Sequence, residues 1–348
     1  MGHAFNHTRE RGSALLSVLL ILGVVSAVMV ALLGRINTAV RITQNAQDTL
    51  SARYQANSAE ALARLELANL LERNSGAMPN VGGWNGRATP VPLDDGLMTL
   101  TISDHTDCFN LNSLVTPSAA LSVRPAASRV TSIWPDAQQT YRVSLRMQSQ
   151  FVSLLEALDF SRGEAQRLAA GIVDWIDSDA IPGRLGVEDG YYTGQKTRYR
   201  TANQLLRSVS EILDVRGVTK DVFERLKPWL CAHPSTSPSP MNVNLLTPDQ
   251  APLLMMLAPQ SITSDAAMRI LANVPVTGWQ SPAEFWSHPS LLAINPDSII
   301  LDQTDITSRY FILTVDVATA TGDIQQTALF EAAIAGPRLS ARTWQGQL

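Results

Sequence analysis

The chain has 348 residues, 45% of them hydrophobic and 17% charged, with a formal net charge of −4. That length exceeds one small core, and the residue balance excludes wholesale disorder. A weakly acidic chain has no overall electrostatic pull toward nucleic acid or anionic lipid.

The first twelve residues, MGHAFNHTRERG, are polar and carry Arg9 and Arg11. Then come 21 residues without a charge, Ala14 to Gly34. At 1.5 Å per residue a helix of that length crosses a hydrocarbon core. Positive charge ahead of it keeps the leading residues cytoplasmic and places the rest outside. A secretory signal has a shorter apolar core, followed by small residues at its cleavage site. Here the run is long, and the small residue Gly12 precedes it. Past the membrane, Ile36, Val40, Ile42, Leu50, Tyr54, Ala61, Leu65 and Leu71 recur at roughly helical intervals. Asn74, Gly76 and Pro79 end the pattern. One helix from Ser13 to about Arg73, roughly 90 Å long, is expected.

Met98, Leu100 and Ile102 alternate with Thr99, Thr101 and Ser103, the period of a strand. Near the end, Phe311, Leu313, Val315 and Val317 alternate in the same way. A turn at Thr321, Gly322 and Asp323 leads into a second strand, Ile324 to Ala335, with Ala328, Phe330, Ala332 and Ile334 on one face. Between the strands lies a helical stretch, about Val115 to Leu230. It reads as helices over Ser149–Asp159, Arg162–Ile176, Thr201–Val215 and Lys220–Leu230. A second helical part covers Pro248 to Trp286. Together these describe an α+β chain in which a long N-terminal helix packs on an antiparallel sheet.

Two Asn-x-Asn segments flank the longer helical stretch: Asn110-Leu-Asn112 and Asn242-Val-Asn244. Short amides bond to nearby backbone and lock turns, so both read as scaffold. Cys108 and Cys231 fit no metal-ligand spacing. Outside the cytoplasm they read as one disulfide; two buried thiols are the other reading.

The most suggestive chemistry lies between Asp174 and Tyr192. Asp174 and Asp177 share a helix face at i, i+3. Asp179 follows as the helix ends, Pro182, Gly183 and Gly186 permit a tight loop, and Glu188 and Asp189 return two more carboxylates. So many like charges are unfavourable together without a cation. Oxygen ligands on a flexible loop suit Ca²⁺, although the spacing is not that of an EF-hand. Asp177, Asp179, Glu188 and Asp189 are the expected ligands, with backbone carbonyls near Leu185. Paired glycosidase carboxyls flank a cleft, which one hinged loop builds poorly.

Other signals lead nowhere. His3, His7, His105, His233 and His288 have no mutual spacing of a metal or nucleophile site. No nucleophile elbow, P-loop or dinucleotide fingerprint is present. Residues 208–230 resemble a DNA-binding helical hairpin only faintly, without its Gly-x-Gly turn or a basic face.

A basic leader ending in Gly before an uncharged apolar helix resembles the type IV prepilin signal. The resemblance implies that a prepilin peptidase cuts between Gly12 and Ser13 and that Ser13 becomes N-methylated. Most of that family has Glu as fifth mature residue, where it pairs with a neighbour's amino terminus. Here that position is Ser17, which has no carboxylate for such a pair. This departure, the size of the chain, the acidic loop and the two Asn-x-Asn segments resemble minor pseudopilin K of type II secretion (general secretion pathway protein K).

That resemblance implies a pilin-like fold with a large inserted α-helical domain. Its divisions would be a leader at 1–12, a transmembrane helix at 13–35, pilin-like helix and first strands at 36–114, the insertion at 115–232, and pilin-like helices and strands at 233–348. It implies a non-enzymatic subunit at the tip of a pseudopilus, single-pass in the inner membrane with its globular part in the periplasm. There it would start fibre assembly and support export of folded proteins. The implied partners are minor pseudopilins of the I, J and H types, the peptidase and exported substrates, with no nucleic acid. It also implies bound Ca²⁺ in the acidic loop and a Cys108–Cys231 disulfide at the base of the insertion. The rival readings are a minor pilin of a type IV pilus or DNA-uptake machine, and a membrane-tethered periplasmic enzyme.

Overall fold

A helix whose surface changes character half-way along organises the molecule. The computed structural model describes residues 8–74, 76–93, 96–118, 139–319 and 322–346, with backbone alone for 8–14, 319, 322, 345 and 346. Helix α1 spans Thr8–Arg73. Its large apolar side chains from Leu15 to Leu33 are all about half or more exposed, and none of the described residues buries them. A helix apolar on all sides belongs in a protein interior or a membrane. Among the described residues it is the one helix long and apolar enough to cross a membrane.

Further along, one stripe of α1 is buried: Ala52, Ala56, Ala59, Ala63, Leu67 and Leu70. These positions recur every three or four residues, which puts them on one face. Alanines let the helix axis lie close to a sheet. That sheet has five antiparallel strands. Strands β1 (Arg87–Leu93) and β2 (Gly96–Asp104) form a hairpin at one side. The remainder of the sheet comes from the end of the chain.

Between the two halves of the sheet the chain builds a helical lobe. It opens with β3 (Phe109–Asn110), a single 3-10 turn over Leu111–Leu114, and the short pair β4 (Val115–Pro117) and β5 (Tyr141–Val143). Helices α2 (Leu145–Ala157), α3 (Arg162–Ile176), α4 (Asp189–Tyr192) and α5 (Lys220–Leu226) follow, and β6 (Leu230–Cys231) closes the unit by pairing parallel to β3. A second unit repeats the order. Strand β7 (Met241–Asn242) leads into α6 (Ala251–Met255), α7 (Ser264–Ala272), α8 (Pro282–Trp286) and α9 (Ser298–Leu301), and β8 (Thr304–Asp305) returns parallel to β7.

The chain then re-enters the sheet as β9 (Tyr310–Thr319), β10 (Gly322–Glu331) and β11 (Arg338–Gly346), in the order β1-β2-β9-β10-β11. Phe311, Leu313, Val315 and Val317 of β9 are buried against the α1 stripe. Of the turn expected at residues 321–323, Thr321 lies outside the described residues.

The Asn-x-Asn segments explain the repeat. In the first unit the Asn112 amide accepts from Leu206 N–H at 2.8 Å and donates to the Leu206 and His233 carbonyls at 2.9 and 2.8 Å. In the second, Asn244 accepts from Trp279 N–H at 2.6 Å and donates to the Trp279 carbonyl at 3.1 Å. Two residues beyond each anchored backbone, Ser208 and Ser281 cap a short helical turn, and Glu211 and Glu284 reach back to the chain before it. Gly278, at φ +72°, precedes Trp279 because a Cβ there would lie 2.9 Å from the Asn244 amide.

Several expected boundaries move. The helix expected over Thr201–Val215 reduces to a 3-10 segment over Val209–Asp214. Leu206 gives its N–H and its carbonyl to Asn112, and Asn203 adopts a positive φ of 48°, so no helix passes through. Helix α2 starts four residues before Ser149. Helix α5 stops before Pro228, and Leu230 is in a strand. Strand β10 ends at Glu331, leaving Ile334 exposed instead of facing the sheet. Strands β1 and β11 were not expected. Buried residues from Phe109 to Leu291 share one core across residues 232 and 233. The second helical unit therefore packs against the first.

Cys108 and Cys231 are joined by a disulfide with Cα atoms 5.7 Å apart, bracketing the first unit at its base. Each buried Asn anchors the two ends of its own unit. Asn112→Ala and Asn244→Ala should each lower stability by about 3 kcal/mol, since each leaves buried backbone groups without partners. Denaturant midpoints measure this, with exposed Asn273→Ala expected to change little.

Candidate metal centre

Helix α3 ends at an accumulation of negative charge. Ser161 caps its start, and Asp174, Asp177 and Asp179 lie at its finish, with no basic residue in the last turn. The carbonyl end of a helix already disfavours anions. Asp174 is buried and its Oδ2 accepts from Gly183 N–H at 2.9 Å. The loop thus turns over this carboxylate, and Gly186 sits so close that a Cβ would collide with it. The two glycines are there because the loop touches Asp174 directly.

Carboxylate oxygens of Asp177, Asp179 and Glu188 come within 4.8 Å of one another. Asp177 and Glu188 are buried, and Asp177 Oδ1 and Glu188 Oε1 have no hydrogen-bond partner. Burial pushes the Asp177 carboxyl up to about 7, with Asp179, Asp174 and Glu188 adding repulsion. Glu188 rises to about 7 and Asp174 to about 6, again mainly through burial. Buried oxygens without partners, gathered at the negative end of a helix, fit a hard cation.

Three of the four expected ligands are brought together. The fourth, Asp189, is engaged elsewhere: its Oδ1 accepts from Thr201 N–H and Oγ1, each at 2.9 Å, and Arg200 lies beside its Oδ2. Asp174 was expected on the shared helix face but not as the residue that shapes the loop. Its signal was the pair of glycines nine and twelve residues on.

The structure also joins two histidines that sequence spacing had kept apart. The rings of His105 and His233 are 5.4 Å apart, and His233 stacks on Tyr310 at 3.9 Å. Burial lowers His105 to about 4 and also lowers His233, so both are neutral. Their third neighbour, Cys108, is in the disulfide and offers no thiolate. This cluster is therefore packing at the lobe's base.

A membrane-length N-terminal helix, laid on an antiparallel sheet that a helical lobe interrupts, defines a pilin-like protein. Residues 107–235 and 241–307 match two family models, each described as type II secretion system (T2SS), protein K. The gap between them falls where the first helical unit ends and the second begins. Type II secretion system protein K of Aeromonas hydrophila is 34% identical over 312 residues, 87% of each chain. That of Klebsiella pneumoniae is 32% identical, covering 94% of this chain and 93% of its own. A solved structure, the GspK-GspI-GspJ complex from enterotoxigenic Escherichia coli, contains a chain superposing with a TM-score of 0.70 at 25% identity, over 88% of this chain and 99% of that one. The chain belongs to the type II secretion system protein K family.

The pH behaviour of the cluster has a definite sign. Its carboxyls titrate higher folded than unfolded, so the fold holds extra protons between about pH 4 and 7. Stability without a cation is then greatest at the acid end and falls as pH rises through 7. Melting temperatures in chelator should show this fall, and Asp177→Asn should reduce it and raise the melting temperature at neutral pH.

Proposed function

We propose that this chain is a minor pseudopilin at the tip of the type II secretion pseudopilus, where it starts fibre assembly and supports export of folded proteins. The observation that carries the reading is the uncharged helix directly behind Gly12, joined to a sheet interrupted by a bulky lobe. In this reading the peptidase removes residues 1–12 and methylates Ser13. The helix stays in the inner membrane, and the sheet and lobe stand in the periplasm. Small residues along it, Gly23, Ser26, Ala27 and Ala31, allow partner helices to approach closely.

The tip position has two physical supports. Ser17 has no carboxylate to meet the amino terminus of a further subunit. A lobe of two helical units would also clash with neighbours along a tightly wound fibre, and only an end leaves room for it. The similar E. coli chain is found in a complex with GspI and GspJ. Partners of the I and J types, with an H-type subunit below, are the corresponding proposal here. Family membership favours secretion over DNA uptake.

The acidic loop binds Ca²⁺ in this reading. Asp177, Asp179 and Glu188 would supply side-chain oxygens, with carbonyls near Leu185 and Asp189 at the margin. The ion would supply the positive charge that the end of α3 lacks, and its binding energy would appear as folding stability.

Two outcomes follow. Mass spectrometry of the native protein should find a chain beginning at methylated Ser13; a start beyond Gly34 would contradict the reading. Above pH 7, Ca²⁺ should stabilise the protein by about 2.7 kcal/mol at a hundredfold excess over Kd. The effect should vanish below pH 5 and in Asp177→Asn, as followed by calorimetry.

A further inference from the structure

The two edges of the sheet are built differently. Strand β1 carries Pro90 and Pro92. Neither has an N–H, and at two residues' spacing both missing donors fall on one side of the strand. Strand β11 has no proline from Arg338 to Gly346. Among the described residues, no strand or backbone group pairs with its outer side. The pairing of β10 with β11 is irregular near Ser340, but Ala341 to Gly346 is in regular register. A regular, open row of backbone donors and acceptors is a template for one more strand.

The charge around this edge runs against the chain as a whole. Arg342 pairs with Glu60 of α1 at 2.7 Å, and Arg338 and Arg309 share Glu331 at 2.7 and 2.8 Å. Arg53 lies over the Trp344 ring at 5.7 Å, and Arg64 donates to the Pro337 carbonyl at 2.9 Å. Among the described residues the ion pairs of these five arginines are with two glutamates, Glu60 and Glu331, in a protein whose net charge is −4. A strand added here would enter a positive field.

We propose that β11 accepts, by strand addition, an extended carboxylate-bearing segment of a neighbouring subunit. Backbone pairing along Ala341–Gly346 supplies the contact, and the arginines select an acidic segment over a basic one. The proline-bearing β1 edge makes the addition one-sided, so that it joins a partner without propagating. This inference rests on the assembly reading above.

The test places a photo-reactive amino acid in the full chain at one of three exposed positions: Thr343 on β11, Thr89 on β1, and Leu50 on α1. Each variant is produced in cells containing the whole secretion system, and adducts are identified by mass spectrometry. Thr343 is expected to yield adducts within an extended, acidic strand of another fibre subunit, and Thr89 none. If Leu50 yields adducts with fibre subunits while Thr343 yields none, strand addition is overturned and the assembly reading stands. Thr343 adducts confined to helices or basic segments overturn it equally, as do equal yields from Thr89. If neither Leu50 nor Thr343 captures a fibre subunit, both readings fall.

Discussion

Everything in this molecule hangs from the seam between one stripe of α1 and one strand, β9. Ala52, Ala56, Ala59 and Ala63 present almost no side chain, so Phe311, Leu313, Val315 and Val317 reach the helix surface directly. Any larger residue on the stripe would lift helix from sheet, and overpacking a fitted core costs about 1–3 kcal/mol. The same helix continues into a segment whose large apolar side chains are exposed. One element is therefore both the wall of a water-soluble core and an apolar rod, and the seam transmits the rod's position to the rest of the protein. Glu60 reinforces it by bonding to Gln326 on β10 and Arg342 on β11.

The lobe solves a different problem. Its helices are short, and short helices gain stability from packing more than from propensity. Each unit closes on itself through a two-residue parallel strand pair, and a buried asparagine ties the closing strand's surroundings to the chain before a capped turn. The disulfide adds a covalent tie to the first unit, of a kind that contributes about 2–4 kcal/mol. The second unit has none; instead Asn242 donates to the Met78 carbonyl and to Ser308. Its place on the sheet domain is thus held by polar bonds. In the acidic loop the carboxylates oppose their own burial and one another, which is why a cation there would act as structure.

Elements with a strong single period are legible in the amino-acid sequence alone. The second half of α1, β2 and β9 each bury one face, and burial writes its period into the residues; α3 is buried on all sides from Leu168 to Ile176 and reads instead as an unbroken run behind its Ser161 cap. Strand β1 hides because Pro90 and Pro92 argue against a strand except at an edge. Strand β11 hides because Arg338, Arg342 and Trp344 have their partners on α1 and β10, contacts that no local pattern shows. The helix expected over Thr201–Val215 has the right composition but loses its backbone bonds to Asn112, which lies 94 positions before Leu206. The carboxylates of the acidic loop are legible from composition alone. Which of them converge is not, because Asp189 is captured by Thr201 across a fold of the loop. The neighbourhood of His105 and His233 depends on β3 pairing with β6, a long-range contact that spacing does not carry.

The central claim is that α1 divides between lipid and sheet, and nitroxide accessibility along it in a reconstituted bilayer tests this most directly. Labels at Val25 and Met29 should be reached by dissolved oxygen and shielded from a water-soluble nickel reagent, while a label at Tyr54 should show the reverse. Equal access of the nickel reagent to all three positions would contradict the account.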